Sequence, residues 1–262
     1  MVADFWRDGW AVFGPEPAVE NWAKAVLPHA RQVASDPVQQ ATWLQCGGTW
    51  FVGVDALAND AKGAVGQGPA LTGAAMDFVT THYGDLPLHP GQLSVIYPGY
   101  PRPRSGESDS AFAYRKNRDA AHVDGLLAIG ATRQRMLREP HAWVMGLPLN
   151  ECSHDASPLV VWQGSHHIMR AAFAAALKGH APVDWTNVDL TAPYQAARRQ
   201  VFATCPRVTV PARPGQGYIV HRHGLHGVAP WSDSATAPQD GRMIAYFRPQ
   251  LQGSTGNWLA LP

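Results

Sequence analysis

The second half of this 262-residue chain is dominated by short apolar segments that alternate with glycine- and proline-rich turns. Each segment has the length of a β-strand and is too short for most helices. An earlier segment of the same kind precedes residue 98. A chain with many short strands joined by such turns favours a β-sandwich or a β-barrel. The segments are residues 93–97, 142–149, 159–162, 208–211, 217–221 and 243–247.

The first 90 residues carry helical patterns as well as two strand-like segments, one at the end of residues 4–13 and one at residues 41–56. Apolar side chains recur at helical spacing over residues 16–34, which predicts an amphipathic helix with Trp22 as a core anchor. A second helix is predicted over residues 68–83, and a third, later in the chain, over residues 168–178. We expect the first two helices to cover one face of the sheet structure. We therefore interpret residues 1–262 as a single, mainly β domain.

The charge balance and the cysteines restrict the class of protein. There are 21 basic and 20 acidic residues, so the chain has no net field that attracts nucleic acid or an anionic membrane. We find neither a signal peptide nor an uncharged stretch of membrane-spanning length. The three cysteines form no Cys-x-x-Cys pair, which is typical of reduced cytosolic thiols. We expect a cytoplasmic protein that acts on a small molecule; no feature indicates an oligomeric state.

Residues 121–125, Ala-His-Val-Asp-Gly, place two metal-ligating side chains two residues apart. Side chains two apart on a strand point to the same face, so His122 and Asp124 can bind one divalent ion. The best third ligand is His226, in a His-Gly segment near the C-terminus. Two histidines and one carboxylate leave three positions of an iron open, which suits O2 chemistry. The His-x-Asp triplet alone is weak evidence for a metal site, because a chain with 12 histidines contains such His/Asp pairs by chance.

Basic residues cluster on both sides of this triplet. Residues 98–119 form a long Gly/Pro/Ser-rich segment, and such segments inside a domain are usually functional or mobile. Two interpretations remain open: solvated loops, or an anion-binding mouth whose arginines make charge-assisted bonds to a substrate. In the second case, Arg104→Ala or Arg115→Ala raises the substrate KM. The cluster comprises Arg102, Arg104, Arg115, Lys116 and Arg118 before His122, and Arg133, Arg135 and Arg138 after Asp124.

Five segments occur in a recognisable order: His122-Val-Asp124-Gly, Leu159-Val-Val-Trp-Gln-Gly-Ser165-His166, Pro214-Gly-Gln-Gly-Tyr-Ile-Val, Leu225-His226-Gly-Val-Ala-Pro and Gly241-Arg242-Met-Ile-Ala-Tyr-Phe-Arg-Pro. In this order they resemble the phytanoyl-CoA dioxygenase family of iron(II)/2-oxoglutarate oxygenases, and the opening Phe5-Trp-Arg-Asp-Gly-Trp resembles the family's usual start. The resemblance implies a double-stranded β-helix (a jelly roll, cupin-like) flanked by N-terminal α-helices.

The resemblance also implies roles for individual residues. His122, Asp124 and His226 match the catalytic iron ligands, and Arg242 matches the residue that pairs with the distal carboxylate of 2-oxoglutarate. Trp143 lies on a strand where the family often places an aromatic side chain near this cosubstrate. The implied cofactors are Fe(II), 2-oxoglutarate and O2. Because the carboxylate is retained where related halogenases have a small residue, the implied reaction is hydroxylation.

Two departures from the family pattern stand out. The gap from His226 to Arg242 is longer than the family's, which leaves Arg248 as a rival because residues 242 and 248 share a strand face. Relatives often have Ser or Thr two residues after the distal histidine, where this chain has Val228. Another hydroxyl must then help to hold the cosubstrate, or the cosubstrate is bound more weakly or is a different molecule.

Three functions remain open on the sequence. The first is a 2-oxoglutarate-dependent oxygenase, and the second is a cupin-like metal enzyme that does not use 2-oxoglutarate. The third is a non-catalytic binding protein on the same fold. A further cluster, His221 and His223, is interpreted as structural, because only His226 occupies the family's His-Gly position. His166 and His167 are likewise interpreted as part of a turn.

Overall fold

Two antiparallel sheets face each other at the centre of the computed structural model, which describes residues 4–262. The interior between them is a cluster of buried side chains drawn from both sheets. A separate two-stranded hairpin follows the His-x-Asp triplet. The strands are β1 (Trp10–Phe13), β2 (Leu44–Gln45), β3 (Trp50–Gly53), β4 (Gln92–Ile96), β5 (Leu126–Ile129), β6 (Gln134–Leu137), β7 (Trp143–Pro148), β8 (Leu159–Trp162), β9 (Arg207–Val210), β10 (Gly217–His221), β11 (His226–Val228) and β12 (Arg242–Phe247).

The strand order defines the fold. The large sheet runs β1-β10-β7-β12-β4-β3-β2, and the small sheet runs β11-β8-β9. From β7 to β12 the chain passes between the two sheets, and a backbone bridge from His122 to His226 adds a further short strand beside β11. This is a double-stranded β-helix, the jelly-roll core of cupin-like proteins, and it confirms the predicted fold class.

Helices cover the outer faces of both sheets. The predicted helix over residues 16–34 is present as α2, and Trp22 is fully buried with its indole N–H donating to the carbonyl of Gly63 at 2.7 Å. No helix within residues 4–262 is long and apolar enough to cross a membrane. The helices are α1 (Phe5–Asp8), α2 (Pro17–Ser35), α3 (Pro37–Trp43), α4 (Ala74–Tyr83), α5 (Asp109–Lys116), α6 (Ser165–Leu177), α7 (Thr191–Thr204) and α8 (Asn257–Ala260), with a 3-10 turn at Pro182–Asn187.

Helices α2 and α4 pack on the large sheet, as predicted, whereas α6, α7 and α8 pack on the small one. The second predicted helix begins only at Ala74, because Gly73 before it has a φ of 119° that interrupts the helix. The arginine-rich segment 98–119 is not wholly irregular: it contains α5, which Ser108 caps by accepting a hydrogen bond from the Ala111 amide.

Side chains alternate between the interior and the outer face along the central strands. On β12, Ile244 and Tyr246 point into the barrel, where the Tyr246 hydroxyl accepts a hydrogen bond of 2.7 Å from the Tyr218 hydroxyl. Gly146 on β7 leaves the room for this pair, since a Cβ there would lie 2.2 Å from the Tyr218 ring. The cluster of apolar side chains between the two sheets thus contains a buried pair of tyrosine hydroxyls.

Candidate metal centre and its cavities

The structure brings together the three residues that the sequence singled out as metal ligands. The Nε2 atom of His122 lies 3.1 Å from Oδ1 of Asp124, and Nε2 of His226 lies 3.9 Å from Oδ2 of the same carboxylate. One ligand atom from each residue falls within 4.8 Å of the other two, and no other such trio occurs within residues 4–262. This spacing suits one ion bound by all three side chains.

Backbone pairing positions the two histidines. The amide of His122 donates to the carbonyl of His226 at 2.8 Å, and the reverse bond is 3.0 Å. Gly227 permits this approach, because a Cβ at that position would lie 2.1 Å from the carbonyl oxygen of Asp119. Gly125 follows Asp124 with a φ of 82°, and a Cβ there would lie 2.1 Å from the Glu139 carbonyl. The two glycines thus hold the ligand segments close.

Each imidazole is held in the tautomer that metal binding requires. The Nδ1 atom of His122 lies 3.1 Å from the carbonyl oxygen of Ala120, and Nδ1 of His226 lies 3.0 Å from that of Gly224. A carbonyl oxygen can only accept, so both Nδ1 atoms carry the proton. Both Nε2 atoms then keep a free lone pair directed towards the Asp124 carboxylate, the orientation that outer partners commonly give to metal-binding histidines.

The charges around the trio keep its ligands in their binding forms. Burial raises the pKa of Asp124, but the charge of the Arg248 guanidinium, whose Nη1 lies 3.5 Å from Oδ2, opposes this effect, and the pKa lies well below its usual value. Burial lowers the pKa of His226 to about 4 although the Asp124 carboxylate opposes this. An anionic carboxylate and a neutral imidazole are the forms that ligate metals.

A mostly apolar cavity of about 260 Å³ opens on one side of the trio and reaches into the barrel. All three ligand residues line it, together with Val228 and Tyr246. We call it the inner cavity. Trp50 forms part of its wall, held by an indole N–H that donates to the Ser94 hydroxyl at 3.0 Å. Trp50 could not be predicted as a cavity residue from the sequence, because an isolated aromatic residue on a strand has no distinguishing signal.

A larger and more polar cavity of about 430 Å³, which we call the outer cavity, adjoins the inner one. His122, Asp124, Trp50 and Arg248 line both cavities, so the metal-binding trio lies at their boundary. The outer cavity is rich in arginine, as the anion-binding interpretation of the loops requires. Its basic lining residues are Arg104, Arg115, Arg118, Arg135, Arg198 and Arg248.

The two arginines considered for the cosubstrate occupy different places. Both lie on the inner side of β12 or just beyond it, and six residues correspond to roughly 20 Å along a strand. Arg248 lines the inner cavity, whereas Arg242 lines a separate polar cavity of about 320 Å³. Burial raises the pKa of Tyr218 well above its usual value. The guanidinium of Arg242 lies close enough to Tyr218 to oppose part of this rise. Tyr246, hydrogen-bonded to Tyr218, lines the inner cavity.

Trp143, which the family resemblance predicted beside the cosubstrate, is not among the residues that line the inner cavity. Successive side chains of a strand point to opposite faces, and it is Val144 that lines the inner cavity. Trp143 is 1% exposed and packs in the core between the large sheet and the N-terminal helices. Its apolar neighbours on β7 are buried on both faces, so the sequence carries no alternation from which the inward side could be read.

The other histidines that the sequence raised are structural. His221 and His223 are almost fully buried, and the ring of His223 packs edge-on against Trp258 at 4.5 Å. Burial lowers the pKa of both well below the usual value. His166 is the second residue of α6, and its Nε2 lies 3.0 Å from the carbonyl oxygen of Trp6. These residues tie the N-terminal segment and α8 to the barrel.

Comparisons with known proteins support the fold. No family model matches the sequence, and no curated protein matches it. Among solved structures, the α-ketoglutarate-dependent carbocyclase SnoK from nogalamycin biosynthesis aligns with 97% of this chain and 83% of its own, at 14% identity and a TM-score of 0.52. EctD from S. alaskensis, in its apo form, aligns with 95% of this chain and 75% of its own, at 17% identity and a TM-score of 0.48.

Proposed function

We propose that this chain is an Fe(II)- and 2-oxoglutarate-dependent oxygenase that hydroxylates a small anionic molecule, and that residues 1–262 form one catalytic domain. The observation that carries the proposal is the trio of His122, Asp124 and His226, whose two Nε2 lone pairs and one carboxylate converge at the boundary of two cavities. Two histidines and one carboxylate with open positions are diagnostic of non-haem iron(II) oxygenases. SnoK, which shares the fold, is α-ketoglutarate-dependent.

Iron fits the donor set, and each ligand residue has a defined task. His122 and His226 would bind through Nε2, because their Nδ1 protons are committed to carbonyl oxygens. Asp124 would bind as an anion, which the Arg248 guanidinium favours. Bound iron and 2-oxoglutarate would together supply the oxidising chemistry towards O2. The chain itself provides the ligands, the charge balance and the two cavities that keep cosubstrate and substrate apart.

For the distal carboxylate of 2-oxoglutarate we propose Arg242, assisted by the Tyr246 and Tyr218 hydroxyls. The Nη1 atom of Arg242 is buried and lacks a hydrogen-bond partner within residues 4–262. The Tyr246 hydroxyl supplies, from another strand, the hydroxyl group that Val228 does not provide. A carboxylate in the inner cavity would accept hydrogen bonds from this hydroxyl, with the guanidinium charge behind it.

Two measurements test the function. Anaerobic addition of iron(II) and 2-oxoglutarate should produce the weak charge-transfer band near ~500 nm that a keto acid chelating iron through two oxygens gives. Succinate should then form in air. Pyruvate, which lacks the distal carboxylate, serves as the control and should bind more weakly. Iron binding without this band would contradict the proposal and favour a cupin-like metal enzyme that does not use 2-oxoglutarate.

The choice between the two arginines has its own test. Arg242→Lys keeps the charge but removes the planar fork, so it should raise the KM for 2-oxoglutarate. Arg248→Lys is the matched variant on the same strand, and we expect its main effect on iron affinity through Asp124. If only the variant at 248 raises the cosubstrate KM, the assignment of Arg242 is wrong.

A further inference from the structure

Three arginines of the outer cavity pack with their guanidinium groups over aromatic rings and have no acidic partner. Arg118 lies 4.9 Å from the centroid of the Phe202 ring, and Arg198 lies 5.3 Å from that of Tyr194, which also carries Arg135 at 5.8 Å. Within residues 4–262, no carboxylate oxygen lies within the 4.0 Å of an ion pair for any of them. We call Arg118, Arg135 and Arg198 the arginine cluster.

Three other arginines of this region are paired with carboxylates, unlike the cluster; Arg104, which also lines the outer cavity, makes no ion pair within residues 4–262. Arg115 makes a two-pronged ion pair with Glu107, at 2.8 and 2.6 Å, so its guanidinium is committed to holding the loop. Arg207 pairs in the same way with Asp119, at 2.7 and 2.8 Å. Arg248 faces Asp124. Arg115, Arg207 and Arg248 are thus paired with carboxylates, whereas the three arginines of the cluster are not.

The cluster is fastened to the segment that carries the metal ligands. Arg198 donates through Nη2 to the carbonyl of Ala121 at 2.9 Å, one residue before His122. Arg135 donates through Nη1 to the carbonyl of Leu126 at 3.1 Å, two residues after Asp124. A group bound by the cluster would therefore lie beside the candidate iron, at a distance that the protein fixes.

Two atoms of the cluster point to a ligand. The Nε atoms of Arg118 and Arg198 are buried and have no hydrogen-bond partner within residues 4–262. An unpaired buried donor costs about 1–3 kcal/mol, and more when the group is charged, so such donors are normally satisfied. Both residues line the outer cavity, where an anion would accept these bonds.

We propose that the substrate carries a phosphate group, which the arginine cluster binds while the oxidised carbon is presented to the metal. Three unpaired guanidinium groups match a dianion with several oxygens, whereas one carboxylate would leave two of the charges uncompensated. The stacked rings hold the guanidinium planes in place, so little side-chain entropy is lost when the anion binds. That the bound molecule is a substrate rests on the proposed oxygenase function. The existence of the anion-binding site does not.

The test is calorimetric titration of the metal-free protein with sodium pyrophosphate and with orthophosphate, in a low-salt buffer that contains no phosphate. We expect pyrophosphate to bind and the affinity to fall with added salt. Arg118→Gln and Arg198→Gln should each weaken binding at least about tenfold, since a hydrogen bond to a charged group contributes about 1.5–3 kcal/mol. Arg198→Lys, which keeps the charge and guards against misfolding, should bind with intermediate affinity.

Arg138→Gln is the matched control, because Arg138 is exposed, lies close along the chain and does not line the outer cavity. An equal loss in this control would show diffuse attraction by net charge and overturn the site. Binding of succinate as tight as that of pyrophosphate would overturn the phosphate assignment, and no binding of pyrophosphate would overturn both. Because the titration contains neither iron nor 2-oxoglutarate, its outcome is independent of the charge-transfer band that tests the oxygenase proposal.

Discussion

Substituting Gly227 by alanine tests how the metal centre is assembled. The added Cβ would lie 2.1 Å from the Asp119 carbonyl oxygen and 3.1 Å from Cα of Ala121, both backbone atoms that cannot rotate away. Reaching an ordinary contact of 3.4 Å requires β11 and this turn to separate by about 1.3 Å (3.4 − 2.1), which also stretches the bonds between His122 and His226. Overpacking of this kind costs about 1–3 kcal/mol. For a chain of this size that is roughly 2–4 °C of Tm for each kcal/mol.

The same displacement should weaken iron(II) binding, by about tenfold for every 1.4 kcal/mol that falls on the ligand geometry. Anaerobic equilibrium dialysis with iron(II), together with thermal melts, measures both effects. Gly14→Ala is the control, because a Cβ there meets no heavy atom within 4 Å and its φ is not positive. If Gly227→Ala binds iron and melts as the control does, then close backbone approach does not set the position of the two histidines.

Three further predictions follow from the site and the core. Asp124→Ala should abolish iron binding and substrate-coupled succinate formation, and full activity would overturn the ligand assignment. Tyr246→Phe should raise the KM for 2-oxoglutarate about fivefold with little change in kcat, since one hydrogen bond contributes about 1 kcal/mol; an effect on kcat alone would contradict it. Burial lowers the pKa of His166 from 6.5 to about 4, so its contribution to stability is present above pH 6.5 and is lost as the pH falls towards 4. The Tm of the metal-free protein should fall between pH 7 and pH 5, less so in His166→Gln, and parallel curves would refute the assignment to His166.

Much of the fold could be read from the sequence, because strand length and turn chemistry are local properties. The meeting of His122 and Asp124 with His226 is a long-range event, and it was predictable only through the order of motifs along the chain. Depth along a strand was not predictable: Arg242 and Arg248 share a face, yet they line different cavities. Such a difference depends on how far each strand extends past its neighbours.

The arginine cluster shows a second limit of sequence reasoning. Basic residues were expected around the triplet, but Arg115 is held by Glu107, and the third member of the cluster, Arg198, comes from α7, which no pattern in the sequence predicted. The helix places Arg198 beside Ala121 only because it packs on the outer face of the small sheet. The spacing of charged residues along the chain therefore cannot predict that Arg198 joins the cluster, because the packing of α7 places it there.

The shared wall between the inner and outer cavities has a kinetic consequence. His122 and Asp124 line both cavities. If the keto acid binds in the inner cavity and the phosphorylated substrate in the outer one, as we propose, the two molecules occupy separate volumes. A molecule bound in one cavity then leaves the volume of the other cavity free. Initial velocities measured while the concentrations of cosubstrate and substrate are both varied should accordingly fit random-order binding, in which either molecule can bind first.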